Sequence, residues 1–482
     1  MSSIKQETLH GVKWTAVNKF TNSAVSFLIG IVLARLLTPS DYGVVAMIGI
    51  FFAISGIFID SGFGMALIQK KNVTEEDKST MMFFNIGMAT FCYVVLFIAA
   101  PWIAEFLNTP ILKDIIRVSG LGMVIGSFGT VQYNMLYKAV DFKTPAIIGI
   151  VTNFINGIIG VALAYLGYGP WALVIPGLVS GIISCVSVWV ISPWRPKLIF
   201  SKRSFHEMVS FGGNLTFNAL LDKFYNEGTG FIIGKFYTPA QLGYYGKGQG
   251  TATLPSTFIS ETISGVLLPV MSKIQDDEQK LLYAYSRYMQ IMALIVFFCS
   301  LLLVALAKPL TVFLYSDKWL PAVIFTQIFC FHYMLYFIHR VNWDLLLVKK
   351  RTDLCLKKEL VNKIFDFGFL IAGICISVEA IAVSFVLASI ANLIVNTYVA
   401  KKVFPTFGFK QQFADFFPYM VKGAIACIPA YAMTMLPIHP LIIIIVGGLT
   451  SVMLYSFYLY WTKDENFFSL INLTPLKKYI RR

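Results

Sequence analysis

Long apolar runs alternate with short polar or Pro/Gly-containing connections along the whole chain. The first runs lie near Trp14 to Leu37, Val44 to Ile68, Met81 to Phe106, Ile115 to Leu136, Pro145 to Leu166 and Trp171 to Ser192. Later ones lie near Met208 to Phe236, Leu242 to Met271, Tyr288 to Ala307, Trp319 to Val348, Leu360 to Ile376, Val378 to Val399, Phe417 to Leu436 and Leu441 to Tyr460. A helix needs roughly 20 apolar residues to cross the hydrocarbon core, so the pattern predicts an all-α, polytopic membrane protein with about 14 transmembrane helices. Composition agrees: hydrophobic residues make up 57% of the chain and charged ones 13%, against about 45–50% and about 25% in soluble domains.

Within this pattern one stretch is written twice. Thr38-Pro39-Ser40-Asp41-Tyr42-Gly43 returns as Thr238-Pro239-Ala240-Gln241-Leu242-Gly243, each copy closing one apolar run and opening the next. Upstream, Asn18, Asn22, Ser26, Gly30 and Arg35 stand at the same offset from Asn218, Asp222, Asn226, Gly230 and Lys235. An even number of expected helices separates the copies, so both halves enter the membrane in the same sense. That relation is a pseudo-twofold axis along the membrane normal, the arrangement of parallel-repeat transporters with a substrate cavity between rocking lobes. The expected organisation is a six-helix lobe over 1–200, a second over 201–405, and a terminal helix pair with a basic tail over 406–482.

Charge sharpens the topology. A formal net charge of +14 raises the question of a nucleic-acid partner, but the basic residues are scattered between apolar runs rather than clustered on a soluble module, which excludes that class. They concentrate instead in alternate connections, such as Lys70, Lys71 and Lys78, then Arg195, Lys197, Lys202 and Arg203, then Lys349, Lys350 and Arg351. The intervening connections hold few, among them Arg35, Lys113, Arg117 and Lys235. By the positive-inside rule the rich side is cytoplasmic and both termini lie there. The first run is too long for a signal-peptide core and is expected to stay in the protein. The 7 cysteines are dispersed without CxxC spacing, which supports neither a disulfide framework nor a zinc site.

Polar residues inside the runs are the candidate chemistry. Thr15, Asn18, Lys19, Asn22 and Ser26 share one helical face, and the repeat offers Asn214, Asn218, Asp222, Lys223, Asn226 and Glu227. A charged group at the bilayer centre costs at least about 2.5–3.5 kcal/mol, so such faces line water, bind substrate or pair with each other. The alternative is packing, with amides joining helices and Lys223 neutralising Asp222 or Glu227. Asp60 and Glu261 occupy near-equivalent places in the two halves and are candidate proton carriers. Lys363 and Asp366 are spaced as a structural ion pair, and Lys422 and Glu379 lie near enough to span ends to snorkel. His332 and His339 have no third ligand at metal spacing and read as satisfied histidines. No Ser/His/Asp set, P-loop or nucleotide fingerprint occurs in a fitting context, so no enzymatic activity is expected.

Several segments then form a recognisable set: LARLLTPSDYGVVAM (Leu33 to Met47), DSGFGMALIQKKNVTEED (Asp60 to Asp77), GYGPWALV (Gly167 to Val174), WRPKLIFS (Trp194 to Ser201), IIGKFYTPAQLGYYGKGQG (Ile232 to Gly250), LLPVMSKIQDDEQ (Leu267 to Gln279) and DKWLPA (Asp317 to Ala322). Over roughly residues 8 to 350 the chain resembles the polysaccharide exporter family that includes the colanic acid and teichuronic acid transporters of the WzxC type, within the multidrug/oligosaccharidyl-lipid/polysaccharide flippase superfamily. The resemblance implies two six-helix lobes in a V with two added helices. It also implies transfer of polyprenyl-diphosphate-linked oligosaccharide across a bacterial inner membrane, by a monomer working beside glycan polymerase and glycosyltransferase machinery. For such a cargo Lys19, Lys223, Lys247 and Arg340 are the candidate diphosphate contacts. Asn18, Asn22, Asn214, Asn218, Asn226 and Tyr225 are the candidate sugar contacts. Asp60, Asp222, Glu227 and Glu261 are the candidates for coupling to a proton or sodium gradient; no other cofactor is expected. A drug exporter of the same superfamily is disfavoured by the helix count and the cavity lysines, and a glycan polymerase or ligase by the short outer connections.

Overall fold

The computed structural model describes the backbone of residues 2–472, and the side chains of that range apart from 2–13, 15–17, 211–219, 257–258, 261–270 and 471–472. The first helices are α1 (Ser2–Leu36), α2 (Pro39–Met47), α3 (Gly49–Asp60), α4 (Phe63–Gln69), α5 (Glu75–Phe106), α6 (Leu112–Ser127), α7 (Thr130–Lys138), α8 (Lys143–Tyr165), α9 (Trp171–Ile191) and α10 (Lys202–Phe236). They continue with α11 (Pro239–Lys273), α12 (Glu278–Tyr315), α13 (Ala322–Tyr333), α14 (Tyr336–Val348), α15 (Thr352–Ile374), α16 (Val378–Val403), α17 (Phe409–Met433), α18 (Pro440–Trp461) and α19 (Glu465–Asn472). The all-α expectation holds among the described residues. Of these, 10 helical runs are long and apolar enough to cross a membrane, or 11 if the pair α6 and α7, bent by 43°, counts as one. α10 and α11 contain side chains outside the description, and α15 carries Lys357, Lys358, Lys363 and Asp366 along its length, so the expected total of fourteen is not reached by this criterion. The chain packs as two compact units that divide between Gly243 and Tyr244.

In the first unit the duplicated motif builds the same helix start twice. Thr38 Oγ1 accepts the Asp41 N–H at 3.3 Å while Asp41 Oδ2 accepts the Thr38 N–H at 2.8 Å. In the second copy Thr238 Oγ1 accepts from Gln241 N at 3.3 Å and Gln241 Oε1 from Thr238 N at 3.1 Å. Both are capping boxes, with proline pre-set for the first helical turn. The two starts also meet each other. A Cβ on Gly43 would lie 1.7 Å from the Pro239 carbonyl oxygen, and one on Gly243 would lie 1.9 Å from that of Pro39. Each motif therefore rests its proline carbonyl on the other's glycine, at a distance no side chain permits.

This contact seats α10 on α2, α3, α4 and α5. Gly234 lies under Met47 and Gly230 under the Ala46 carbonyl. At one end of α10, Lys235 Nζ donates to the Phe106 carbonyl at 2.6 Å, and Phe231 stacks on Phe106 at 5.8 Å. At the other end Lys70 Nζ bridges Asp77 and Glu207, both at 2.9 Å, and Arg203 adds a bond to Glu207 at 3.0 Å. The connection into α10 is docked on the start of α5: Trp194 Nε1 donates to Glu75 at 2.8 Å and Ser201 N to Thr80 at 2.9 Å. Its repeat mate α1 packs on α8 instead, across a small-residue stripe of Gly149, Gly157 and Gly160.

The run expected as one span over Val44 to Ile68 is one candidate span, Pro39–Gln69, subdivided into α2, α3 and α4. It bends at Ile48, and Ser61 (φ 45) and Gly62 (φ 73) take the left-handed region between α3 and α4. Lys138 Nζ then covers the end of α4, donating to the Ile68 carbonyl at 3.0 Å and to that of Lys70, where a cation suits the exposed carbonyls.

In the second unit α12 is the central post, carrying the fully buried Tyr285, Met289, Met292 and Phe297. α17 and α18 pack along it: Tyr455 Oη donates to the Leu294 carbonyl at 2.8 Å and its ring stacks on Phe298 at 4.4 Å. Asn342 of α14 and Gln412 of α17 exchange two amide hydrogen bonds of 2.9 and 2.8 Å. Asp464 gathers the terminal turn by accepting from Lys422 at 3.1 Å, Tyr419 at 3.1 Å and the Asn466 N–H at 3.0 Å.

Gly43→Ala and Gly243→Ala are each expected to destabilise the detergent-solubilised protein by about 1–3 kcal/mol, the usual cost of overpacking. Gly87→Ala, whose Cβ meets nothing within 4 Å, serves as the neutral control in the same thermal-unfolding measurement. The Asp77 and Glu207 bonds hold the Lys70 amine above its ordinary value, while Lys70 and Arg203 hold the Glu207 carboxyl below its ordinary 4.5. Glu207 therefore contributes stability above pH 4.5 that is lost as pH falls through its lowered value. The melting-temperature deficit of Glu207→Gln is expected to be constant from pH 6 to 8 and to shrink toward zero in acid.

Candidate functional site

The polar face of α1 is held together by amides. Asn22 Nδ2 donates to Asn18 Oδ1. From α8, Asn153 Nδ2 reaches the Asn22 carbonyl at 3.2 Å, Asn22 Oδ1 at 3.1 Å and Ser26 Oγ at 3.0 Å. The close approach of α1 to α8 makes this possible, since a Cβ on Gly149 would sit 3.5 Å from Asn22 Nδ2. The packing alternative thus accounts for these three α1 side chains, whereas Lys19, on the same stripe, is exposed. Asn153 was not among the expected residues; a lone Thr-Asn pair inside the apolar run of α8 was its signal.

α10 behaves differently. Asp222, Lys223 and Asn226 are exposed, and the Asn226 amide donates to the Asp222 carbonyl at 2.9 Å. Lys223 Nζ lies 3.6 Å from Glu227 Oε1, with both side chains nearly half exposed. Glu227 in turn approaches Gly49 at the α2–α3 bend. Tyr225, an expected sugar contact, is 6% exposed and faces the packing side. Asn214, Asn218 and Glu261 lie outside the described side chains.

Asp60 is exposed and sits at the α3–α4 joint, where its Oδ1 accepts the Gly64 N–H at 3.3 Å. In the second unit Lys247 is set among aromatics, its ammonium 4.0 Å from the Tyr315 ring centre and 5.6 Å from that of Trp319. Arg340 Nε is 3.2 Å from Asp344 Oδ1; the carboxylate is fully buried and the guanidinium side chain is 42% exposed. A buried acid one turn away thus fixes the direction of a partly exposed cation, which suits bidentate binding of an anionic group.

A second polar assembly lies inside the second unit. His339 bonds Ser389 Oγ and Asn396, each at 2.9 Å. Asn396 Oδ1 accepts from Lys358 at 3.3 Å and Asn362 at 3.2 Å. Asn392 donates to Asp366 at 2.8 Å, and the expected Lys363–Asp366 ion pair is present at 3.4 Å. His332 Nδ1 pairs with the Phe385 carbonyl at 2.9 Å, so both histidines are satisfied as expected. The i, i+4, i+8 spacing of Lys358, Asn362 and Asp366 on α15 was the sequence signal for this assembly. Their burial marks it as internal packing rather than an open surface.

Comparison with known proteins places this geometry. The teichuronic acid biosynthesis protein TuaB of Bacillus subtilis is 24% identical over 73% of this chain and 74% of its own length. The lipopolysaccharide biosynthesis protein WzxC of Escherichia coli is 22% identical over 83% of this chain and 82% of its own. Among solved structures, the lipid II flippase MurJ in an inward closed conformation superposes with a TM-score of 0.74 at 17% identity, covering 93% of this chain and 99% of that one. An inward-facing multidrug resistance MATE family transporter gives 0.62 at 12% identity, over 80% and 95%. The model of a family described as polysaccharide biosynthesis protein matches residues 32–324. Spanning more than half of the sequence and both copies of the duplicated motif, that match makes the chain a member of the polysaccharide biosynthesis protein family.

Proposed function

We propose that this protein is a transporter that moves polyprenyl-diphosphate-linked oligosaccharide across the bacterial cytoplasmic membrane by alternating access, for assembly of a surface polysaccharide. The observation that carries the reading is α10. A helix seated by glycine contacts along one side keeps Asp222, Lys223 and Asn226 exposed on the other, in a chain with at least 10 runs apolar enough to span among the described residues. Charge maintained there against its desolvation cost is functional by default. Family membership and the MurJ-like fold support the same reading over drug export, since the MATE likeness is the weaker of the two.

In this reading Lys19, Lys223, Lys247 and Arg340 contact the diphosphate and Asn214, Asn218 and Asn226 contact sugars, while Asn18, Asn22 and Tyr225, the other expected sugar contacts, are taken up in helix packing. Asp60, Asp222, Glu227 and Glu261 couple transfer to a proton or sodium gradient. Lys223 pairs with Glu227 until the cargo anion competes for it. The lobes follow the repeat, over 1–200 and 201–405, with a terminal pair after them; fourteen crossings leave both termini in the cytoplasm. The protein works as a monomer beside polymerase and glycosyltransferase machinery.

Proteoliposomes carrying fluorescent lipid-linked oligosaccharide test this directly. A hydrogen bond to a charged group contributes about 1.5–3 kcal/mol, so Lys19→Ala combined with Lys223→Ala is expected to slow transfer at least about tenfold, with ~1.4 kcal/mol per decade. An unchanged rate would remove both lysines from the diphosphate site. No transfer by the unaltered protein would remove the function itself.

A further inference from the structure

We infer that the seam between α1 and α8 is a binding groove for the isoprenoid chain of an anionic, diphosphate-bearing lipid. This rests on the flippase reading for the identity of the lipid. Beyond the Asn22–Asn153–Ser26 cluster the same helix pair turns wholly apolar and opens a groove of about 590 Å³, within the ~300–1,000 Å³ typical of ligand pockets. Its walls include Leu28 and Val32 of α1 and Phe154, Ile158, Val161 and Tyr165 of α8. Leu28, Phe154, Ile158 and Tyr165 are each more than half exposed. Gly157 admits the Ile29 side chain, which closes the floor between the parallel helices: a Cβ there would lie 2.1 Å from Ile29 Cδ1.

Three features specify the occupant. Phe154 to Tyr165 rises through roughly 16 Å at about 1.5 Å per residue, half of a ~30 Å hydrocarbon core, so the groove serves a chain lying in one leaflet. Its inner end is stopped by the amide cluster, where hydrocarbon gains nothing. Its outer end leads to exposed Arg35, one turn beyond Val32, among the few cations on the basic-poor side of the chain. A phosphate at that level with its chain running inward satisfies both ends, and the β-branched walls give a methyl-branched chain ridges to pack against.

The test is photolabelling of the full chain in nanodiscs of phosphatidylethanolamine and phosphatidylglycerol, with a polyprenyl diphosphate carrying a diazirine in its chain. Labels are expected to map to Val25–Val32 and Phe154–Tyr165 and to be competed by unlabelled polyprenyl diphosphate. Val32→Trp with Ile158→Trp should reduce them about tenfold, about 1.4 kcal/mol, and Arg35→Gln should weaken labelling by the diphosphate while sparing that by the corresponding polyprenol. Equal labelling of the groove by a diazirine-bearing phosphatidylglycerol would make it a bulk-lipid surface and overturn the proposal. So would polyprenyl labels lying elsewhere, a result read on the unaltered protein whatever the variants do. Transfer of lipid-linked oligosaccharide is measured in the same preparation. Transfer without groove labelling overturns the groove alone, whereas groove labelling without transfer supports the groove and overturns the flippase reading.

Discussion

Two backbone carbonyls resting on two glycines set the arrangement of the first unit. Helices in lipid gain little from burying apolar side chains against each other, because hydrocarbon already surrounds them; close packing and small residues decide association instead. Gly43 and Gly243 bring two helix starts into a contact that alanine forbids, and the capping boxes of Thr38 and Thr238 hold both starts in the conformation that contact needs. From there α10 is laid along α2 and α3, and its orientation follows. Tyr225 and Thr229 go inward, while Asp222, Lys223 and Asn226 go outward. The exposed polar face of α10 is thus a by-product of where the glycines are.

Polar groups in this protein fall into two populations. One is consumed in joining helices: Asn153 to Asn22 and Ser26, Asn342 to Gln412, and the Lys358–Asn396–His339 chain. Of these, Asn342, Gln412, Lys358 and Asn396 are buried and bond one another as buried polar groups must. The other is exposed or nearly half exposed, as with Lys19, Asp222, Lys223 and the side chain of Arg340. Spacing along the sequence does not separate the two populations. Asn22 and Ser26 have the same spacing as Asp222 and Asn226, yet the first pair is bonded to Asn153 of α8, while the Asn226 amide bonds within α10.

That failure has a physical source. The repeat and the apolar runs are local in sequence and were legible there, as were the Lys363–Asp366 pair and the satisfied histidines. Whether an amide meets another amide depends on which helix lies beside it, and α1 and α10, though copies, have different neighbours. The aromatic setting of Lys247 was not legible because Tyr315 and Trp319, which flank its ammonium, come from another helix and its following turn. The breaks in the Val44 to Ile68 run were hidden for another reason. Its composition is uniformly apolar, and a left-handed turn at Ser61 and Gly62 carries no strong mark in a hydrophobic stretch that a helix tolerates equally well.

Those breaks give the duplicated segments unequal mechanics. The first copy is a chain of three short helices with a joint at Ser61–Gly62, stiffened by the Asp60 cap on Gly64. The second, α11, runs unbroken for 35 residues, about 52 Å at ~1.5 Å per residue. The hydrogen-bond ladder of α11 is continuous, whereas the path from α2 to α4 crosses two breaks, at Ile48 and at Ser61–Gly62. The same opening motif therefore starts a rigid rod in one copy and an articulated one in the other.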